Sequence, residues 1–333
     1  MSMTNFTGID LSKLPPPNII ESLSFEQIKS DMLADYATRY PDAEITLASE
    51  PAVKLIEAFA YRELKMRQRV NEAAESVLLA KAIDTELDYL GARFGVERQI
   101  VEAGDPQALP PIPATYEDNE RYRERIQLAL EGFSTAGPIG AYVFHAMRAS
   151  SFVKDVAVDA PLFGPATLTT EQTATLPNGT MVLQCTYDAG LTAPQPGDVA
   201  ISILSTQGNG SPSEGLNQSV LAHLNADDVR PLTDHVRLRP TEIIEYHIDA
   251  VLHFYPGPDA ESVRQAAETA VKTWVIDNHK LGRDISLSAL YSVLHRPGVQ
   301  RVELHAPAND LVVNGHQAAY CTSVNVSAGG RNV

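Results

Sequence analysis

Residues 49–74 read SEPAVKLIEAFAYRELKMRQRVNEAA. Ser49-Glu50-Pro51 opens a helix, because Pro51 suits a first-turn position where its missing N–H costs nothing. Leu55, Phe59, Arg62, Met66, Val70, Ala73 and Val77 follow at three- and four-residue steps and so share one face. No Gly or Pro interrupts residues 52–82. The helix predicted there is about 45 Å long at 1.5 Å per residue, well beyond the ordinary ~11–12 residues. That length points to a bundle or coiled-coil element, although the stripe is too irregular for strict heptads. The other faces carry Glu57, Glu63, Lys65, Arg67, Arg69 and Glu72. They fit a solvated, salt-bridged surface, or a helix packed among helices of other chains.

Outward from this helix, residues 20–150 read as mainly helical. Pro15-Pro16-Pro17 is an extended lead-in. Ser24 is placed to cap a helix with Gln27 as its reciprocal partner, Leu23 and Ile28 as the staple, and Pro41 as the stop. Asp84-Thr85 caps a shorter helix with Leu87, Leu90 and Phe94 inward and Gly95 just past its end. Residues 101–116 are rich in Pro and Gly and read as a linker. Asp118 caps a helix over 121–131, and Gly137-Pro138 begins another that runs to Ala149.

The texture changes at Phe152. Val153, Val156 and Val158 read as strand, and Asp198–Leu204 as a better one. Gly208-Asn209-Gly210, a helix over 213–225 and a strand over 235–239 complete a β-α-β unit. A long alternating strand covers 243–255. Asp259 caps a helix to about Asn278, Gly282 ends it, and a short helix covers 286–294. Strands at 299–304 and 320–326 close a small α+β domain. The predicted fold class is multidomain α+β. A helical region spans 1–150 with its linker near 101–116, an acidic β-rich and β-α-β segment spans 151–239, and a small α+β domain spans 240–333.

Composition narrows the function. The chain has 333 residues, 26 basic and 42 acidic, for a formal charge of −16. That charge argues against a nucleic-acid partner, which demands a basic face, and against docking on an anionic membrane. No apolar run is long enough to span a bilayer, and residues 1–12 do not read as a secretory signal. Cys185 and Cys321 are too few for a disulfide framework and read as free thiols. From Asp155 to Val229 there are eight acids and no Lys or Arg. This stretch is either a solvated β region that happens to be acidic or an acidic face for a basic partner.

No catalytic, cofactor or metal residue emerges. Gly208-Asn209-Gly210 sits between strand and helix, but Ser213 stands where a nucleotide fingerprint needs its third Gly, and no Lys is near. His247, Asp249 and His253 share a strand face. His247 and His253 are about 20 Å apart at 3.3 Å per residue, too far for one metal. His279, His295, His305 and His316 lack ligand spacing. There is no G-x-S-x-G motif. The acid pair Asp227-Asp228 does not stand out from many other acids. Trp274 lies in a helix pattern and reads as core.

The 49–74 block, with Leu87-Asp-Tyr-Leu-Gly-Ala-Arg-Phe-Gly-Val96, closely resembles the baseplate J-like proteins. Two further blocks fit the same family: Glu131–Tyr142 with His145, and Val229–Asp234. The resemblance covers about residues 13–320. It implies a non-enzymatic component of the baseplate wedge of a contractile tail, in a phage or a phage-tail-like particle, assembled in the host bacterial cytoplasm. The implied partners are a second wedge protein, which bundles with the helical region, and other copies of the chain, two per wedge in six wedges. Hub and sheath-initiator proteins are further partners. The C-terminal domain is expected to dimerise between wedges and close a ring around the hub, which widens on contraction. The stripe Leu55, Phe59, Arg62, Met66, Val70, Ala73 and Val77 is the expected partner surface. The alternatives are a tail-associated glycan hydrolase using two C-terminal acids, and a hub-binding adaptor that forms no ring.

Overall fold

The computed structural model describes residues 11, 14–15, 17–42, 49–132, 138–177, 179–227, 229–257 and 259–331. They pack as two compact units. One takes residues 8–98 and 118–126, the other 99–117 and 127–333.

In the first unit, α1 (Phe25–Arg39) starts at Ser24, whose hydroxyl accepts from the Gln27 N–H at 3.3 Å. The expected capping box stops at that half, because the Gln27 side chain donates to Asp31 at 2.8 Å. α2 (Pro51–Ser76) packs against α1, with Val53, Ile56 and Ala60 buried on α2 and Ile28 on α1. The helix ends six residues before the expected 82. Beyond Ser76 the chain turns, and Arg123 draws off two carbonyls there: Leu79 O at 2.6 Å and Ala82 O at 2.7 Å. α3 (Asp84–Ala92) buries Leu87, Leu90 and Gly91, while Phe94, expected inward, is half-buried. A Cβ on Gly91 would stand 2.0 Å from the Tyr122 hydroxyl, so only glycine allows that contact. Tyr122 lies on α4 (Asn119–Gly132), donates to Val96 O at 2.8 Å, and carries the Arg98 guanidinium over its ring. Residues 119–126 of α4 belong to this unit, and its remainder to the other.

In the second unit, the Pro/Gly-rich stretch expected as a linker forms a small hairpin. Ile100–Glu102 (β1) pairs antiparallel with Thr115–Tyr116 (β2), and Asp105 bridges to Ile112. α5 (Ile139–Ala149) is buried along most of its length and packs on β3 (Val153–Asp159). The expected start of α5 at Gly137 lies outside the described residues. A second hairpin, β4 (Leu162–Pro165) with β5 (Leu183–Tyr187), encloses the short α6 (Thr170–Thr175).

β6 (Asp198–Ser205) is buried at all eight positions because it is the middle strand of β3-β6-β7. α7 (Glu214–Leu224) leads to β7 (His235–Leu238), parallel to β6, completing the expected β-α-β unit. Gly210, in the turn after β6, has φ +98°, and a Cβ there would meet Leu204 at 2.6 Å and His279 at 2.8 Å. Its role is close packing.

β8 (Glu242–Phe254) is the centre of the C-terminal sheet β10-β8-β9, antiparallel to β9 (Val299–Ala306) and parallel to β10 (Gln317–Arg331). Its even positions from Tyr246 to Phe254 are buried, as strand alternation requires. α8 (Ala260–Asn278) and α9 (Leu287–Leu294) share a core with them, and Trp274 packs partly buried against it. Residues 151–239 and 240–333 fall in the same unit. Ala157 and Leu204 from one stretch form a buried cluster with Leu281 and Ala318 from the other, and Asp155 accepts from the Leu281 N–H at 2.8 Å. Neither 150 nor 239 is therefore where the compact units divide.

Candidate partner interface

α2 presents two apolar faces. Taking Leu55 as zero and roughly 100° per residue, Leu55, Phe59, Arg62, Met66, Val70, Ala73 and Val77 fall within an arc of about 80°. Val53, Ile56 and Ala60 fall at about 100–160°, outside that arc, on the face that meets α1. All seven stripe residues are exposed; Phe59 retains 60% and Met66 70% of its accessible surface. The stripe runs about 33 Å from Leu55 to Val77 at 1.5 Å per residue. From Tyr61 to Ser76 no residue of α2 is buried.

Polar contacts hold the rest of the helix surface. Glu63 pairs with Arg67 at 2.6 Å, and Arg67 also reaches Glu21 at 3.1 Å. The Asn71 amide makes two hydrogen bonds with the Glu21 backbone, fastening the lead-in segment along the helix. Lys29 and Lys54 each lie 2.8 Å from Glu57 and hold its carboxyl down at about 2. Lys65 stands over the Tyr61 ring, and Arg69 is 3.6 Å from Glu72. These charges are internally matched and flank the stripe. Nothing among the described residues covers the stripe.

The acidic stretch 155–229 is largely consumed within the fold. Asp198 accepts from the Gln195 N–H and pairs with Arg237 and His235, each at 2.9 Å. Burial pushes its carboxyl up, but those three donors outweigh it and the net shift is downward. Asp159 receives the Tyr187 hydroxyl and lies 3.5 Å from Arg239. Asp188 closes a turn on Gly190, and Asp227 is 3.7 Å from Arg230. The countercharges are the arginines just past the stretch, which a windowed charge count separates from their partners. The acid pair at 227–228 cannot be placed, since Asp228 lies outside the described residues.

His247, Asp249 and His253 share the less buried face of β8, and His253 lies 3.4 Å from Glu303. His279 is nearly buried, and burial together with neighbouring Lys154 lowers its pKa to about 4. Lys154, itself pushed down by burial, sits 3.1 Å from the His279 Nδ1. Among the described residues no group of three or more His, Cys, Asp or Glu is placed to hold a metal. No helix there is long and apolar enough to cross a membrane. Sequence reading missed one contact. Tyr142 donates to Asp234 at 2.6 Å, joining the 131–142 and 229–234 blocks. Residues 133–137 of the first block lie outside the described residues.

Comparison with known proteins covers the 49–74 and 87–96 stretches. Residues 48–105 match the baseplate J-like N-terminal domain, and residues 246–327 the baseplate J-like protein C-terminal domain. Over 329 residues the chain is 42% identical to baseplate protein J of Escherichia phage P2, covering 97% of this chain and 98% of that protein.

Proposed function

We propose, from the premise that this chain belongs to the baseplate J-like family, that it is a wedge subunit of a contractile-tail baseplate. In this reading it does structural rather than catalytic work. The exposed stripe on α2 bundles with a second wedge protein, other copies complete the ring around the hub, and hub and sheath-initiator proteins complete its contacts. It resides in the tail baseplate of a phage or phage-tail-like particle and is assembled in the host bacterial cytoplasm.

The observation that carries this is the second apolar face of α2. A long helix whose apolar stripe of about 33 Å is left in water gains by packing against other helices. The stripe lies within the 48–105 match to the baseplate J-like N-terminal domain. Native mass spectrometry on the protein, alone and co-expressed with its neighbouring tail gene products, tests the reading. A complex of two copies of this chain with one of a partner is expected. A chain that stays apart from every neighbour would overturn it and direct attention to glycan cleavage. Binding to the hub in a number that is not a multiple of six would favour an adaptor.

A further inference from the structure

A cavity of about 280 Å³ lies where the β3-β6-β7 sheet meets α8 and β10. Lys154 lines it from β3, Thr206 and Gly208 from the turn after β6, Val275 and Ile276 from α8, and Tyr320 from β10. All belong to one compact unit. The volume is far more than a single water needs.

Among the described residues lining it there is no Asp or Glu, and Lys154 is the one cation, because His279, at about 4, is neutral near pH 7. The Lys154 ammonium has three protons to give. One goes to the His279 Nδ1 at 3.1 Å, and a second points toward Ile276 O at a long 3.4 Å. Ile276 O already accepts the His279 N–H. Neither acceptor carries a charge, so among the described residues this half-buried ammonium has no ion-pair partner. Burial accordingly pushes its pKa down. Asp155 and Asp277 act on it through space, and Lys280 opposes them. Asp155 is committed elsewhere, to the Val156 and Leu281 N–H groups at 2.8 Å each, and Asp277 is exposed. Thr206 spends its N–H on Phe152 O at 2.9 Å, and its exposed side chain brings a second donor.

We propose that this cavity binds a small organic monocarboxylate, held at its charged end by the Lys154 ammonium and the Thr206 hydroxyl, with its apolar part against Val275, Ile276 and Tyr320. Charge selects the class. One cation balances one negative charge, and in a chain of −16 a dianion such as phosphate would bring a second charge that nothing in the cavity offsets. The lining selects the body. Few polar groups set among apolar side chains suit a ligand with a short hydrocarbon chain or a ring. The carboxylate gives the ammonium a charge-assisted hydrogen bond, the stronger kind. The site is independent of the wedge reading and of the stripe on α2.

The test uses the full chain alone, with benzoate as the probe and saturation-transfer NMR and calorimetry as the readouts. Saturable binding at one site is expected. Benzamide, the neutral isostere, should bind at least about tenfold more weakly, since it offers the ammonium no charge. Inorganic phosphate at the same ionic strength should not displace benzoate. Lys154→Met keeps the length of the side chain and removes the cation, and should weaken benzoate by about tenfold or more. Thr206→Val, at an exposed position, should weaken it by a smaller factor and decides the matter if the Lys154 variant fails to fold. Absence of saturable benzoate binding to the unmodified chain overturns the proposal. So does equal binding of benzamide, displacement by phosphate, or undiminished binding by a folded Lys154→Met chain, which would leave Lys154 as a cap on the end of α8.

Discussion

Replacing Phe59 and Met66 together by Asp separates a surface that awaits a partner from one that holds the chain together. Full burial of a Phe or Met side chain stabilises by about 1.5–3 kcal/mol. With 60% and 70% of their surfaces still open, each has about 1–2 kcal/mol left to gain on association. An aspartate in either position forfeits that gain and costs several kcal/mol more if it enters the seam unpaired. The two together remove about 6 kcal/mol or more, roughly four decades of affinity at 1.4 kcal/mol per decade. In the free chain, exposed positions of this kind ordinarily change stability by about 0.5 kcal/mol or less. Co-purification with the neighbouring tail protein should be lost while the melting temperature barely moves. Ile56→Asp is the counterpart: it strikes the face buried against α1 and should lower the melting temperature of the free chain. Retained co-purification of the double variant would refute the seam assignment. A large fall in its melting temperature would show the stripe to be internal.

Arg123→Met leaves the carbonyls of Leu79 and Ala82 without their guanidinium. It should cost about 2–4 kcal/mol in urea unfolding, and a loss below about 0.5 kcal/mol would show that the turn after α2 is held by other means. His279 takes up a proton near 6.5 when unfolded and near 4 when folded. Its contribution to stability is therefore complete above 6.5 and lost as the pH falls toward 4, by about 3 kcal/mol at most at 1.36 kcal/mol per unit. His279→Gln should flatten the profile between about pH 6.5 and about pH 4, and an unaltered slope in urea titrations would refute this.

Local signals were readable in proportion to how local their causes are. Ser24 and Asp259, both read as caps, each accept from an N–H three residues on, because that contact needs nothing from the rest of the fold. Asp84 does not cap α3, which begins at Asp84 itself with Ile83 as its uncapped N-cap. The alternation of β8 was legible because burial on one face writes itself at every second residue. The end of α2 was hidden, since Arg123, which draws on the carbonyls beyond it, stands over forty residues away. The hairpin at 100–116 was obscured by prolines and glycines that mark turns and linkers alike. The acids of 155–229 looked like a free charged face because Arg237 and Arg239 arrive only after the stretch has ended. The stripe on α2 was visible as a pattern. What periodicity could not tell is which of the helix's two apolar faces the chain itself covers, and that depended on where α1 lands.

That second face sets a clock. From Tyr61 to Ser76 α2 is a finished helix with no buried residue, and its greasy side faces water from the moment the chain folds. On the wedge reading, every subunit passes through a sticky interval between release from the ribosome and capture. Its length depends on how much partner is at hand. Supply in matched amounts then governs the yield of baseplates as much as the strength of any contact does. A surplus of this chain made without its neighbour would be spent in aggregates, however soundly each copy had folded.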